Sequence, residues 1–244
     1  PVQEHGELRI RYRYEPMLDI GGDFLFIHPL QTTKGAAEKP TSMVLIDVTG
    51  HGFPAALAVN RLYVELTRAF VSTEDPTPSH VMAEVNRAMG SGLMPAGIFG
   101  TAIAIRVREE GGVRVLEWCG AGHPAAILRR VDGTLERLAS GMPMLGVAEP
   151  ESFAPETQRV EMGPGDLVIA YTDGVLEARN SMGEQFGMER IEESIRAGAS
   201  GDALFEAVEA FRSGPTADDV LVVEVLVGRR ETLATPEPVE VQAS

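Results

Sequence analysis

The sequence predicts an α+β fold, a four-layer α-β-β-α sandwich in which two antiparallel sheets lie face to face between helices. Three observations point there. Strand-like runs come in groups, a pair of helical stretches interrupts them after residue 52, and a second pair precedes the last strand. The runs 42–48 (SMVLIDV), 166–171 (DLVIAY) and 220–227 (VLVVEVLV) are almost wholly apolar, the pattern of strands covered on both faces.

Taken in order, residues 8–14 (LRIRYRY) alternate as a strand does, and Gly21-Gly22-Asp23 separates them from a second extended run, 24–28. The polar stretch 31–41, with Gly35 and Pro40, reads as an exposed loop. Gly50-His51-Gly52 makes a turn after strand 42–48. Pro54 then stands where the first turn of a helix tolerates it, and helical periodicity runs over 55–70 without a basic face. Asp75-Pro76-Thr77-Pro78 ends that helix, and Ser79 is the candidate N-cap of a second one over 79–89.

From Phe99 the character changes to β. Runs 101–108, 113–118 and 124–130 are divided by Gly111-Gly112 and Gly120-Ala121-Gly122, and Asp132-Gly133 signals a tight hairpin. After strand 166–171 come helices over 189–197 and 202–211, then the strand 220–227. The stretch from Glu231, rich in Pro, Glu and Thr, reads as disordered. The division expected is one domain over 1–230 and a tail over 231–244. Trp118 and the ten methionines read as core.

At 244 residues, 44% hydrophobic and 23% charged, the chain can bury a core without a disulfide or structural metal. Its 21 Lys and Arg against 36 Asp and Glu leave a formal charge of −15. That field repels phosphate backbones and anionic membranes, so nucleic-acid binding is not expected. The single cysteine, Cys119, excludes an internal disulfide and reads as a small buried hydrophobe rather than a nucleophile. No apolar run reaches a membrane span, and no signal-peptide pattern opens the chain, so a cytoplasmic location is expected. Beginning at Pro1 without Met, the chain reads as a piece of something longer.

The residues that carry chemistry share one setting. Asp47 (LIDVTGHG), Asp173 (IAYTDG) and Asp23 (GGDF) each stand where extended chain meets a glycine turn, while Asp218-Asp219 immediately precede a buried strand. Any one of them is as readily an ordinary turn aspartate. Together they are harder to dismiss, because a carboxylate at the end of an apolar strand is costly unless neutralised, and no matching set of buried Lys or Arg is evident. A pair of hard divalent cations would neutralise them and would activate water near a phosphoryl group. The adjoining glycines permit close backbone approach and a carbonyl ligand. The residues alone leave the turn reading and the two-metal reading both open.

An ordered series of segments narrows the choice. Gly21-Gly22-Asp23-Phe24 is followed by Asp47-Val48-Thr49-Gly50-His51-Gly52 with Pro54-Ala55-Ala56, then by Phe99-Gly100-Thr101 and Ala121-Gly122-His123-Pro124. Next stand Gly141-Met142-Pro143 with Leu145-Gly146, Tyr171-Thr172-Asp173-Gly174 with Glu177-Ala178, and Asp218-Asp219. Over about residues 9 to 227 this resembles the SpoIIE/RsbU-like branch of the PPM (type-2C-like) serine/threonine phosphatases.

The resemblance implies two divalent cations, Mn²⁺ or Mg²⁺. Asp47 would bridge them, Asp23 and the Val48 carbonyl would complete one side, and Asp173 and Asp218 would serve the other, with Asp219 as the alternative to Asp218. It implies attack by activated water on phosphoserine or phosphothreonine without a phospho-enzyme. The substrate would be a STAS-type (anti-anti-sigma-like) regulatory protein in bacterial signalling, and a sensor or regulatory domain would stand N-terminal to the chain. Two departures bear on substrate positioning: Phe24-Leu25-Phe26 stands where the family often has an aromatic pair and an acid, and Leu221 where it commonly has a hydroxyl.

Two histidines have rival readings. His51 is either a donor to the leaving oxygen or part of turn packing; His123 reads as structural, bonding backbone near the sheet. Among rival functions, a catalytically silent binding module of the same fold is disfavoured by the complete acidic set. A nucleotide cyclase fails because Gly21-Gly22-Asp23-Phe24 lacks the glutamate of its signature. A Ser-His-Asp hydrolase lacks a G-x-S-x-G elbow.

Overall fold

Alternation along the strands sorts the side chains of this protein into three apolar layers. In the strand Thr41–Val48, Val44, Ile46 and Val48 face one layer while Met43 and Leu45 face the next. In the strand Val220–Val227, Leu221, Val223 and Val225 share that second layer, and Val220 and Val222 face a third. The period of two in each strand has become two covered faces per sheet. The computed structural model describes residues 2–5, 8–18, 21–28, 40–50 and 52–228.

The strands are β1 (Val2–His5), β2 (Leu8–Glu15), β3 (Phe24–Ile27), β4 (Thr41–Val48), β5 (Gly100–Glu110) and β6 (Val113–Ala121), then β7 (Ala126–Arg129), β8 (Leu135–Leu138), β9 (Gln158–Met162), β10 (Leu167–Tyr171) and β11 (Val220–Val227). They form a six-stranded sheet ordered β1-β2-β11-β10-β7-β8 and a five-stranded sheet ordered β3-β4-β5-β6-β9. Every strand pairing in both is antiparallel. Helices α1 (Phe53–Val71) and α2 (Pro78–Gly92) cover the five-stranded sheet. The short α3 (Asp173–Glu177), with α4 (Gly187–Arg196) and α5 (Gly201–Phe211), covers the six-stranded one. The expected four-layer α-β-β-α sandwich is therefore the fold.

Side-chain size decides how closely the layers approach. On β5 the helix-facing positions are Ala102 and Ala104, and Leu62, Leu66, Met82, Val85 and Met89 pack in that layer. The opposite face of β5 carries Ile103 and Ile105, which fill the space between the sheets with Leu116 and Trp118 of β6 and with Ile10, Leu128, Val168 and Val223 of the facing sheet. The Trp118 indole N–H reaches the Ala139 carbonyl at 3.3 Å, so this ring is buried without an orphaned donor. Cys119, 3% exposed, faces the α1–α2 layer, and burial pushes its thiol up to about 11.

Several local expectations need correction. The N-cap of α2 is Thr77, whose hydroxyl accepts from the His80 amide at 3.2 Å, because Pro78 takes the first helical turn; Ser79 bonds Thr157 instead. Asp173-Gly174 opens helix α3 rather than a turn. Strands β8 and β9 were not foreseen, being short and half-exposed. Met182 is 81% exposed and not core. The 31–41 loop lies outside the described residues up to 39, and so does the tail 231–244.

One buried charge ties a loop to the sheet. Arg106 on β5 is 2% exposed and donates Nε to Glu117 Oε2 at 2.6 Å, while its Nη1 holds Asp75 at 2.5 Å and the Pro76 carbonyl at 3.1 Å. It fastens the α1–α2 connection to the five-stranded sheet. Arg106→Met leaves Glu117 with only its Arg108 contact at 3.1 Å, and breaking such a buried pair costs about 3–5 kcal/mol. Urea unfolding of the variant is expected to show a lowered midpoint at unchanged slope.

Candidate metal centre

The antiparallel register gathers the acidic residues at one end of the sandwich. Phe24 pairs with Ile46, so Asp23, one residue before β3, stands opposite Asp47 near the end of β4. Tyr171 pairs with Val222, and the Thr172 amide continues the ladder to the Leu221 carbonyl at 3.1 Å. This sets Asp173, opening α3, beside Asp218 and Asp219 at the start of β11. Asp23 and Asp47 thus come from the five-stranded sheet, and Asp173 and Asp218 from the six-stranded one. Chain segments 196 residues apart meet across the seam.

Two glycines allow the approach. A Cβ at Gly22 would lie 2.6 Å from the Val48 carbonyl oxygen, and one at Gly174 would lie 2.0 Å from the Asp219 carbonyl oxygen. Both are distances no side chain tolerates. Gly22 therefore brings Asp23 against the end of β4, and Gly174 brings α3 against the start of β11.

The electrostatics of the cluster are those of unneutralised carboxylates. Burial first, and then the charge of Asp47, drives the Asp23 carboxyl far above its usual range. Burial followed by Asp173 and Asp218 raises Asp47 to about 7. Burial followed by Asp218 and Glu177 raises Asp173 to about 6. The charges acting on all three are other carboxylates. Asp23 is 5% exposed, and its Oδ2 is buried without a hydrogen-bond partner.

This all-oxygen set, short of positive charge and with an orphaned carboxylate oxygen, fits hard divalent cations. Among the described residues, no three His, Cys, Asp or Glu side chains are already gathered about one point. Mg²⁺-like ions do not require that, since they bind through one or two carboxylates and keep several waters.

The last acidic pair divides in two. Asp218 is exposed, and its charge bears on Asp47 and Asp173. Asp219 is 5% exposed and accepts from the amides of Met17 at 2.7 Å, Gly22 at 2.6 Å and Asp23 at 3.2 Å. His51 lies outside the described residues.

His123 is 4% exposed, and burial lowers its pKa to about 3, so the ring is neutral. Its Nδ1 lies 2.9 Å from the Thr101 hydroxyl, which lies 3.5 Å from Asp47 Oδ2. Its expected structural part is therefore played through a side chain that leads to the site.

Three residues given no role by sequence reasoning take part: Thr101 beside Asp47, the fully buried Thr172, whose hydroxyl accepts from the Leu221 amide at 3.1 Å and bonds Asp23, and Tyr14, which bonds Asp219. Thr101 and Thr172 sit inside matched segments, which was signal enough to find them. Tyr14 carries no such mark.

A sequence profile for the family described as Stage II sporulation protein E (SpoIIE) matches residues 37–227. The chain belongs to the SpoIIE family. Phosphoserine phosphatase RsbP of Bacillus subtilis (strain 168) is 24% identical over 177 residues, covering 70% of this chain and 40% of that protein. The chain spans less than half the length of the curated relatives it matches.

Among solved structures, the SiaA-PP2C domain of Pseudomonas aeruginosa superposes with a TM-score of 0.75 at 21% identity, over 89% of this chain and 84% of that one. The catalytic domain of the serine/threonine phosphatase PstP, in complex with two manganese ions, gives 0.62 at 18% identity over 91% and 99%. These likenesses show that this member of the SpoIIE family has the PP2C-like fold. No helix among the described residues is long and apolar enough to cross a membrane.

The raised carboxyls predict how the metal-free protein responds to pH. Relative to the ordinary 3.8, folding favours the protonated forms of Asp173, Asp47 and Asp23. Their stabilising effect is complete below that value and is lost as pH rises through about 6 and about 7. Thermal melts in EDTA are expected to show Tm falling from about pH 5 to about pH 8. Mn²⁺ at about 100 times its Kd is expected to restore about 2.7 kcal/mol. A metal-free Tm that climbs across this window would contradict the assignment.

Proposed function

We propose that this domain is a metal-dependent protein phosphatase acting on phosphoserine or phosphothreonine. Two divalent cations, Mn²⁺ or Mg²⁺, would be held there, with Asp23, Asp47 and the Val48 carbonyl serving one side and Asp173 and Asp218 the other. The observation that carries this reading is the set of partly or wholly buried carboxylates on which only other carboxylate charges act, with Asp23 Oδ2 left unpartnered. Bound there, the cations supply Lewis acidity and a water ionised near neutral pH.

The protein's own part is positioning. Asp23 acts on Asp47 from one sheet and Asp173 and Asp218 from the other, and Asp47 would be shared by both cations. Thr101, held by the neutral His123, restrains Asp47 Oδ2. With its pKa lowered to about 3, His123 is a neutral imidazole at neutral pH and supplies no imidazolium acid for a leaving serine oxygen. Exposed Asp218 places a carboxylate at the mouth of the site. On the family resemblance, the reaction would be direct attack by water without a phospho-enzyme.

The substrate class we propose is a serine-phosphorylated STAS-type regulatory protein, on the family resemblance and on the phosphoserine activity in the name of the relative RsbP. A sensor or regulatory domain N-terminal to residue 1 completes the proposal, supported by the share of its relatives that the chain spans.

Mn²⁺-dependent phosphate release from an aryl phosphate and from a phosphorylated STAS protein tests this directly. Asp47→Asn and Asp173→Asn are each expected to reduce it by at least about 100-fold, since even outer partners of metal ligands cost about 10–100-fold. Their circular dichroism should match the wild type. Full activity after chelation would rule out the two-metal mechanism.

A further inference from the structure

The centre is split between two sheets, and something must fix one half against the other. Backbone ladders cannot do so, because β3 and β4 share no hydrogen bonds with β10 and β11. The inter-sheet layer is apolar and non-directional. Near the carboxylates, the buried Asp219 side chain spans the seam by hydrogen bonds. Asp219 leads into β11 of the six-stranded sheet, and its Oδ2 accepts from the amides of Gly22 and Asp23, which lead into β3 of the five-stranded one. Its Oδ1 accepts from Met17, at the far side of the same connection.

The surroundings are shaped to this carboxylate. Burial and the charges of Asp219 and Asp23 push the Tyr14 phenol up, so it keeps its proton and donates to Asp219. A Cβ at Gly21 would lie 2.0 Å from the Tyr14 hydroxyl and 2.1 Å from Asp219 Oδ2, so only glycine lets the connection close over the pair. Both oxygens of Asp219 are thereby engaged by the protein, whereas Asp23 keeps an oxygen free.

We infer that Asp219 is a positioning residue, a staple across the two sheets that fixes where Asp23 stands, and that it is not itself a metal ligand. The carboxylate accepts from the backbone of the ligand-bearing residue, so the location of Asp23 follows that of Asp219. The catalytic consequence rests on the two-metal reading proposed above. The structural one rests on hydrogen bonding alone.

Amide hydrogen exchange by NMR and Mn²⁺ binding by calorimetry separate the two. In the metal-free wild type, the Gly22 and Asp23 amides are expected to be protected. Asp219→Asn should speed their exchange about tenfold or more, since charge-assisted bonds are lost, while the β10 and β11 amides stay protected. The same variant should need about 10–100-fold more Mn²⁺ for half-saturation, with kcat at saturating Mn²⁺ recovering to within a few-fold. Asp218→Asn should leave the Gly22 and Asp23 amides protected and lose activity that added Mn²⁺ does not recover. Unchanged exchange at Gly22 and Asp23 in Asp219→Asn, or a kcat that saturating Mn²⁺ fails to recover, would overturn the inference. Should Asp219→Asn not fold, Tyr14→Phe removes one donor to the same carboxylate. Partial acceleration at those two amides then supports the staple, and wild-type exchange refutes it. A wild type that binds no Mn²⁺ sinks the two-metal reading, while the exchange rates still decide the staple.

Discussion

Like charges held close together at the seam between the sheets are the constraint around which this domain is built. Asp23, Asp47 and Asp173 are pushed toward their protonated forms by burial and by one another, and each retained charge is a force driving the sheets apart. Without a counter-ion the arrangement persists only because the rest of the fold holds it. Such local cost is typical of sites shaped for a ligand rather than for stability.

What opposes the repulsion is a thick apolar sandwich with a well-specified register. Ile103, Ile105, Leu116 and Trp118 interdigitate with Ile10, Leu128, Val168 and Val223 between the sheets. A one-residue slip would expose this whole set, so the ends of β3, β4, β10 and β11 arrive at one place. Glycine then closes the last few ångströms at Gly22 and Gly174. The Thr101–His123 pair and the Asp219 carboxylate remove the remaining freedom of side chain and loop. Each support lies one step behind a proposed ligand, the position from which ligands are oriented.

Positive charge is spent elsewhere. Arg106, the arginine most deeply buried, serves Glu117 and the α1–α2 connection. Arg130 serves Asp166 and Glu136 beside the β7–β8 hairpin. Within a chain of net charge −15, the charges that act on Asp23, Asp47 and Asp173 are other carboxylates.

The sequence by itself determined the layers, because periodicity and apolar runs are local: β4, β10 and β11, helices α1, α2, α4 and α5, and the Asp132-Gly133 hairpin are all legible one after another. It also marked the aspartates, Asp23, Asp47 and Asp173 by a strand end with a glycine and Asp218-Asp219 by the buried strand they precede. Short half-exposed strands such as β8 and β9 were not legible, because too few residues alternate to rise above their turns. The cap of α2 moved to Thr77 because a proline two residues before the apolar run fixed the first turn.

Only the tertiary structure told the members of the last acidic pair apart. Asp218 and Asp219 are chemically identical neighbours, and the difference between them is exposure for one and three backbone amides for the other. Those amides belong to residues about two hundred positions away. No local pattern encodes that meeting, since it exists only once the two sheets have packed.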